Sequence, residues 1–213
     1  ARERRGRRGP PAPYYAGSPM INRMRPLLAL MLLAFAAAFA APGAAQMRAL
    51  PPPVDLGIRN IMQDTDVWCW AAVAQQVIVK RKGRSPPQCA LVAMVHGRFP
   101  SFCCPHYERC AVAGSLGQIQ TLIRNFGQRT TTLSPPTDAM SLYRTLRAGH
   151  PIILAIRNSR FTGHVVVLTG MTWVDGANGR EALLHVNDPL RVIPSRLPFR
   201  ALVPRWQAAI VVY

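Results

Sequence analysis

The apolar residues change their spacing near residue 150, and this change limits the chain to one fold class. Upstream, apolar side chains recur at helical spacing, whereas downstream short apolar runs alternate with turn signals such as Asp175-Gly176 and Asn178-Gly179. The predicted helices are at residues 69–82, 88–96, 115–126 and 137–148. The predicted strands are at residues 130–133, 151–156, 163–168, 182–187, 200–203 and 208–213. Helices followed by an antiparallel sheet predict an α+β domain.

The first 45 residues predict an export signal that is separate from the folded domain. Arg23 and Arg25 precede an uncharged apolar run at residues 27–41, and small residues follow before Gln46. This pattern is typical of a secretory signal peptide, and the run is too short to cross a bilayer comfortably. An uncleaved membrane anchor is the alternative.

The chain therefore divides into four predicted segments. We expect residues 1–19 to be disordered, or to result from a start codon placed too early, and residues 20–45 to be a cleaved signal peptide. Residues 46–56 contain three consecutive prolines and predict an extended lead-in. The folded domain is predicted at 57–213, and the protein is expected to be secreted or periplasmic.

The chain is strongly basic. It has 26 Lys and Arg residues against nine Asp and Glu residues, a formal net charge of +17. Removing residues 1–45 takes away seven of the basic residues and one acidic residue, which leaves +11. The basic residues are scattered without interleaved aromatic side chains, so we predict no nucleic-acid partner. We also expect a monomer that has no membrane contact after signal cleavage.

Five cysteines are an odd number for an exported chain. Cys89, Cys103, Cys104 and Cys110 lie within 22 residues, whereas Cys69 stands apart. An oxidising compartment would join the clustered four into two disulfides and leave Cys69 free. Since adjacent cysteines are poorly placed to pair with each other, two pairings stay open: Cys89–Cys103 with Cys104–Cys110, or Cys89–Cys104 with Cys103–Cys110. A zinc site is the rival, but the cluster has no C-x₂-C pair, so we predict no metal and no cofactor.

Cys69 has the position of a nucleophile. It begins the predicted helix at residues 69–82, where unpaired N–H groups and the helix dipole favour a thiolate. Six residues earlier, Gln63 can offer a side-chain donor beside the backbone N–H of Cys69, and two such donors form an oxyanion hole. Trp68 is a candidate for the wall of the substrate cleft, with packing in the core as the alternative. Asp64 and Asp66 are expected to cap the helix, or else to favour a basic side chain in the substrate.

The order of Gln63, five intervening residues and Cys69-Trp-Ala resembles the papain superfamily. The Trp-Cys-Trp-Ala-Ala form is most similar to a bacterial branch that includes staphopain and the avirulence effector proteases of plant pathogens. Further matching pieces are Gly163-His164 and Asn187-Asp188-Pro189. The resemblance implies a papain-like fold, in which a helical amino-terminal part carries the nucleophile and packs on a carboxy-terminal antiparallel sheet or half-barrel.

Two positions before the nucleophile depart from the papain pattern. Papain-type enzymes have Cys three residues and Gly two residues before the nucleophile, where this chain has Asp66 and Val67. The local disulfide of papain-type enzymes is therefore absent. The side chain of Val67 is expected to narrow the substrate cleft at the position that glycine leaves open.

The resemblance also implies a base and an orienting residue. His164 would take the thiol proton and later give it to the leaving amine, and Gly163 would let the backbone lie close to the nucleophile helix. Asp188 would accept the other ring N–H and fix the tautomer. Asn187 is the alternative third member of the triad, because papain itself uses Asn. Neighbouring strand residues face opposite ways, so both cannot serve.

These residues predict a secreted papain-like cysteine endopeptidase that hydrolyses a peptide or protein substrate. Cys69, His164 and Asp188 would form the triad, and Gln63 would hold the oxyanion. Two alternatives stay open. One is a peptidase that trims leader peptides, although such enzymes tend to have Asp-Cys-Gly around the nucleophile. The other is a catalytically silent, cationic binding module on the same scaffold.

Overall fold

The computed structural model describes residues 49–157, 163–176 and 179–213. The segments predicted at 1–19 and 20–45 lie outside the described residues, so both stay predictions. Ala49–Tyr213 form one unit. Within the described ranges, no helix is both long enough and apolar enough to cross a bilayer.

In the part of the chain that the structure describes, seven strands form one antiparallel sheet. The strands are β1 (Val54–Asp55), β2 (Thr130–Leu133), β3 (Ile152–Arg157), β4 (Gly163–Gly176), β5 (Gly179–Asn187), β6 (Ser195–Pro198) and β7 (Trp206–Val212). Their order is β2-β7-β3-β4-β5-β6, and β1 pairs with β4 off this path. The lead-in predicted at 46–56 therefore adds a short strand to the sheet.

Helices cover both faces of this sheet. They are α1 (Cys69–Lys82), α2 (Gln88–Val95), α3 (Pro100–Cys103), α4 (Leu116–Asn125), α5 (Ala139–Arg147) and α6 (Phe199–Leu202). Helices α1, α2 and α4 share one core with Ile153 and Val167, whereas α5 and α6 share a second core with Leu154 and Val166. Alternate residues of β3 and β4 thus enter opposite cores, as the two-residue period of a strand requires. The predicted α+β architecture is confirmed.

Local signals explain where several helices begin and end. The Ser115 side chain accepts a hydrogen bond from the Gln118 N–H at 3.3 Å, and the Gln118 side chain accepts one from the Ser115 N–H at 2.8 Å. This reciprocal pair is a capping box and begins α4. Asp138 begins α5 by accepting the Ser141 N–H at 3.0 Å. Helix α1 ends at Gly83, whose φ of 76° favours glycine.

The strand predicted at residues 200–203 is wrong. Phe199–Leu202 form the short helix α6, and the unpredicted strand β6 (Ser195–Pro198) pairs with β5 just before it. A four-residue apolar run cannot separate strand from helix by periodicity. Pro204 also lacks the N–H that a further ladder bond would need.

The cysteine cluster forms two disulfides on the α1 side of the sheet. Cys89 pairs with Cys104 and Cys103 pairs with Cys110, with Cα–Cα distances of 5.0 and 5.6 Å. This is one of the two pairings that the sequence left open. The region around the bonds contains α3 and a 3₁₀ turn at Tyr107–Cys110, neither of which is among the predicted elements. Cys69 is the free cysteine.

Candidate active site

Cys69 is the first residue of α1, and it is partly exposed on a helix that is otherwise buried along its first turns. Trp70, Ala71, Ala72 and Val73 have at most 1% of their surface exposed. The carbonyl of Trp68 accepts the Ala72 N–H at 2.9 Å, which closes the first turn beneath the cysteine. The helix therefore presents one sulfur to solvent at its positive end.

His164 lies close to the start of β4, between Asp188 and Cys69. Its Nε2 atom is 2.7 Å from Oδ1 of Asp188. On its other side, the ring lies beside the Cys69 side chain, which is close enough to raise the pKa of His164. Because Nε2 is engaged with the carboxylate, Nδ1 is the ring nitrogen left for the sulfur. Three side chains from α1, β4 and the turn after β5 thus come together, with His164 between the other two.

Both members of the ionisable pair have shifted pKa values. Burial lowers the pKa of His164, but the hydrogen bonds to Asp188 and Cys69, together with the charges of both, raise it to about 9. Burial raises the pKa of Asp188, but the bonds from His164 and the Leu190 N–H and the charge of Arg191 bring it below its usual value. The arrangement therefore favours an imidazolium beside a carboxylate.

A turn after β5 fixes the Asp188 carboxylate. Its Oδ1 atom accepts the Leu190 N–H at 3.0 Å, and the Nε atom of Arg191 lies 3.6 Å from Oδ2. The Asp188 carbonyl accepts the Arg191 N–H at 2.9 Å. These bonds hold the carboxylate with one oxygen toward the His164 ring.

Cys69 and His164 both line a cleft of about 540 Å³. We call the side built from Val67, Cys69, Gly114 and Leu116 the helical wall. We call the side built from Ala155, His164, Val165 and Leu190 the sheet wall. Asp66 also lines the cleft. Most residues of both walls are apolar. The sulfur of Cys69 lies on the helical wall, and the imidazole of His164 lies on the sheet wall.

The sequence profile described as papain-like cysteine protease AvrRpt2 matches residues 54–200. The chain belongs to this family. It is thus a papain-like cysteine peptidase, a hydrolase. No curated protein matches the sequence significantly.

One solved structure supports the same fold for this peptidase, and a second can be compared with it. The peptidase domain of Streptococcus ComA, described as a bifunctional ABC transporter involved in a quorum-sensing pathway, superposes with a TM-score of 0.53 at 16% identity. The match covers 73% of this chain and 97% of that domain. A double glycine motif protease from an AMS/PCAT transporter, solved with its leader peptide, has a TM-score of 0.43 at 18% identity, over 77% of this chain and 96% of that one.

Gln63 has a different environment from the one expected for an oxyanion donor. Its Nε2 atom donates to the carbonyl of Thr65 at 2.7 Å, and its Oε1 atom is buried without a hydrogen-bond partner among the described residues. Its backbone N–H donates to the carbonyl of Pro189 at 3.0 Å, so its loop rests on the Asp188 turn. The bond to Thr65 uses one of the two amide hydrogens and leaves the other.

Trp68 does not line the cleft of the peptidase. The side chain is fully buried, Nε1 donates to the carbonyl of Cys110 at 2.8 Å, and the ring packs 5.1 Å from Tyr107. The cleft-wall expectation for Trp68 is therefore wrong. The expected cap by Asp64 or Asp66 is also wrong, because no side chain caps the start of α1.

Asn187 is turned away from His164. Its Nδ2 atom donates to the carbonyl of Ile58 at 2.9 Å and to Oε1 of Gln76 at 3.2 Å, and only 1% of the residue is exposed. Strand alternation sends Asn187 into the core below α1 and Asp188 to His164. The alternative in which Asn187 orients the histidine is therefore wrong.

The close backbone approach in this site occurs at Gly114 and was missed from the sequence. A Cβ atom at Gly114 would lie 2.3 Å from the Trp70 ring. At Gly163, where we expected the approach, a Cβ atom would meet only Gln207 Oε1, at 3.5 Å, among the described residues. A single sequence does not show which glycine touches an aromatic ring 44 positions away.

Buried amides near the site were also missed. Gln76 and Gln88 are each 1% exposed, and both are hydrogen bonded to segments that carry proposed site residues. Gln76 lies seven residues after Cys69 and thus on the same side of α1. A polar residue on an apolar helix face was the available signal.

Proposed function

We propose that this papain-like peptidase is an exported endopeptidase that uses Cys69, His164 and Asp188 as its catalytic triad. The observation that carries the proposal is the position of His164, whose ring is 2.7 Å from the Asp188 carboxylate and lines an open cleft together with the free sulfur of Cys69. A histidine that lies between a free sulfur and a carboxylate has the surroundings of a catalytic base, and a purely structural role does not require both neighbours.

The geometry supports the following mechanism. A thiolate–imidazolium pair of Cys69 and His164 holds the sulfur ready, and the sulfur attacks the substrate carbonyl carbon to form a C–S bond. The C–N bond then breaks as His164 gives its Nδ1 proton to the leaving amine. The same nitrogen then deprotonates a water molecule, which attacks the thioester carbonyl carbon. The C–S bond breaks, the carboxylic acid product leaves, and the Cys69 sulfur is free again. Asp188 keeps the imidazole orientation throughout.

The oxyanion would be held by the backbone N–H of Cys69 and one N–H of Gln63. The bond between Gln63 and Thr65 leaves the second amide hydrogen for this purpose. Loss of one such donor typically reduces kcat about 10²- to 10³-fold.

Export is part of the proposal because two features favour an oxidising compartment. Residues 20–45 have the pattern of a signal peptide. Cys89–Cys104 and Cys103–Cys110 are at disulfide distance, and such bonds persist outside the cytosol. Secretion and periplasmic retention satisfy both features equally, and detection of the processed chain in each fraction of the producing cell would separate them.

The test combines alkylation with peptide digestion. The protein with intact disulfides is treated with iodoacetamide at pH 6 and, separately, with a peptide library, beside the Cys69→Ala variant. We expect rapid alkylation confined to Cys69 and cleavage within peptides that the variant does not catalyse. Slow alkylation with no cleavage would favour the silent binding module. Cleavage confined to double-glycine leaders would favour the leader-trimming alternative.

A further inference from the structure

Two consecutive glutamines on the nucleophile helix belong to two different buried hydrogen-bond networks. Gln75 and Gln76 both lie on α1, about two turns after Cys69. Gln76 bonds toward the segment that holds Asp188, whereas Gln75 bonds toward the segment that holds Gln63. Each network thus connects the helix of Cys69 to a segment that carries a proposed site residue, and Gln76 also donates to the Ile61 carbonyl, two residues before Gln63.

The acid-side network consists of Asn60, Gln76 and Asn187. Gln76 Oε1 accepts from Asn187 Nδ2 at 3.2 Å, and Gln76 Nε2 donates to Asn60 Oδ1 at 3.2 Å and to the carbonyl of Ile61 at 3.0 Å. Asn60 Nδ2 then donates to the carbonyls of Asp188 and Arg191 at 3.3 and 2.5 Å. The network therefore ends on the backbone of the turn that aims the Asp188 carboxylate.

The loop-side network consists of Gln75 and Gln88. Gln88 Nε2 donates to the carbonyl of Met62 at 2.7 Å and to Gln75 Oε1 at 3.2 Å, and Gln88 Oε1 accepts the Asp64 N–H at 3.0 Å. Met62 and Asp64 are the two neighbours of Gln63. One amide side chain thus fixes the backbone on both sides of the proposed oxyanion donor.

Burial makes both networks sensitive to loss. Gln76, Gln88 and Asn187 are each 1% exposed. A buried amide without partners is unfavourable, and an apolar side chain would fill the same space without that cost. What an apolar side chain cannot do is fix a loop backbone at a defined position. Outer residues that orient functional groups commonly change activity about 10- to 100-fold when they are lost.

We propose that Gln76 and Gln88 are positioning residues with separate duties. Gln76, through Asn60 and Asn187, orients Asp188 toward His164, and Gln88, through the backbone of Met62 and Asp64, places Gln63 beside Cys69. The inference rests on the proposed function. Its consequence is that loss of Gln76 changes the ionisation behaviour of the pair formed by Cys69 and His164, whereas loss of Gln88 changes oxyanion stabilisation alone.

The experiment uses the full chain with intact disulfides and three variants of matched shape, Gln76→Met, Gln88→Met and Gln120→Met. Gln120 on α4 is the control, because its half-buried amide donates to the Thr130 hydroxyl of β2 and belongs to neither network. Two quantities are measured for each protein. The first is the position of the alkaline limb of the kcat/KM profile, which follows the pKa of His164. The second is the pair of kcat and KM values on one peptide.

Gln76→Met and Gln88→Met should differ in these two measurements. In Gln76→Met, a misplaced Asp188 supports the imidazolium less well, so the pKa of His164 should fall and the midpoint of the alkaline limb should move down by about 0.5 to 1 pH unit. In Gln88→Met, the midpoint should stay at the wild-type value, while kcat falls about tenfold with little change in KM. Gln120→Met should match the wild type in both measurements.

Three results would overturn the inference. They are equal midpoint shifts in both variants, no shift in Gln76→Met, or an unchanged kcat in Gln88→Met. If Gln76→Met does not fold, Asn60→Ala tests the same network, because Asn60 is only half-buried and is the residue that bonds the Asp188 carbonyl. A wild-type protein that shows neither early alkylation nor cleavage would refute the proposed function itself, whereas a normal wild type with unseparated variants would refute only the positioning roles.

Discussion

The two walls of the cleft hold their reactive groups by different means. On the helical wall, Cys69 is fixed by its own helix, and nearby residues are fixed by the Cys103–Cys110 disulfide and by the bond from Trp68 to the Cys110 carbonyl. On the sheet wall, His164 is fixed by the strand ladder, and the turn of Asp188 is bonded by Asn60 from 128 positions away. The helical wall is thus held in part by a covalent bond, whereas the sheet wall is held by polar contacts between distant segments.

This difference separates stability from ionisation. Changes in the packing of the helical wall should alter the free energy of unfolding without altering the charge state of His164. Changes in the polar contacts of the sheet wall should alter the pKa of His164, because hydrogen bonds to Asp188 and Cys69 are what raise it against burial. The four predictions below test whether the two walls can be perturbed separately.

The largest effect should come from removing one reactive group from each wall. Cys69→Ala and His164→Ala should each lower kcat/KM about 10⁴-fold or more, because nucleophile and base act as one unit. For the same reason, the double variant should be no slower than either single variant. Hydrolysis of one fluorogenic peptide by all four proteins measures this. Additive losses would mean that the two residues act independently.

The next effect should be confined to the sheet wall. Asp188→Ala should lower kcat about 10²- to 10⁴-fold, because the imidazole loses its orienting partner. The pKa of His164 should also fall from about 9, since burial still lowers it while the bond and charge of Asp188 no longer raise it. Activity needs the protonated imidazole and is lost as pH rises through that pKa, so the alkaline limb of the kcat/KM profile should move to lower pH.

Asp175→Ala provides the control for this profile. Asp175 lies on β4, far along the strand from His164, and pairs in register with Arg180 of β5. Its removal changes the net charge by the same amount. A shift of the alkaline limb in both variants would indicate a general charge effect, and an unshifted limb in Asp188→Ala would show that Asp188 does not support the imidazolium.

The helical wall was predicted well because its information is local. Cys69 at the start of a 14-residue helix, Gly83 at its end and Ser115 at the start of α4 are all signals within one turn of the feature they predict. The direction of Trp68 was missed because a helix start does not show which side chains a distant loop will cover. The orientation of the Trp68 ring depends on its hydrogen bond to the carbonyl of Cys110, and Cys110 is 42 positions away.

The sheet wall was predicted by resemblance more than by pattern. A Gly-His pair before β-branched residues does not by itself indicate a partner, and the choice between Asn187 and Asp188 depended on which way the end of β5 turns. The structure decides this through contacts at separations of 111 and 24 residues. Periodicity carries no information about such contacts, which is also why Asn60 was not singled out.

The third effect belongs to the helical wall. Loss of the Cys89–Cys104 disulfide through paired Ser substitutions should lower the free energy of unfolding by about 3 kcal/mol, because it closes a loop of 15 residues. Loss of Cys103–Cys110, which closes a loop of seven residues, should lower the free energy of unfolding by somewhat less. Urea unfolding measures both values. The pH profile of kcat/KM for the folded fraction should stay unchanged, and a shifted alkaline limb would show that the walls are coupled.

The smallest effect should distinguish two glycines that face the same cleft. Gly114→Ala places a methyl group against the rigid Trp70 ring, where the unrelaxed distance is 2.3 Å, and should lower the free energy of unfolding by about 1 to 3 kcal/mol. Gly163→Ala meets its nearest described neighbour, Gln207 Oε1, at an ordinary 3.5 Å. It should therefore change stability by less than about 0.5 kcal/mol.

These two glycine variants also test the division between the walls by a route that involves no charge. If Trp70 moves to accept the methyl group of Gly114→Ala, α1 moves with it, and kcat should fall because Cys69 is the neighbouring residue. The alkaline limb of the kcat/KM profile should nevertheless stay at its wild-type position, since the contacts of Asp188 that raise the pKa of His164 are untouched. Paired measurements of the urea midpoint and the alkaline limb would decide this. A shifted limb in Gly114→Ala alone would mean that the placement of the sulfur, and not Asp188, sets the ionisation of His164.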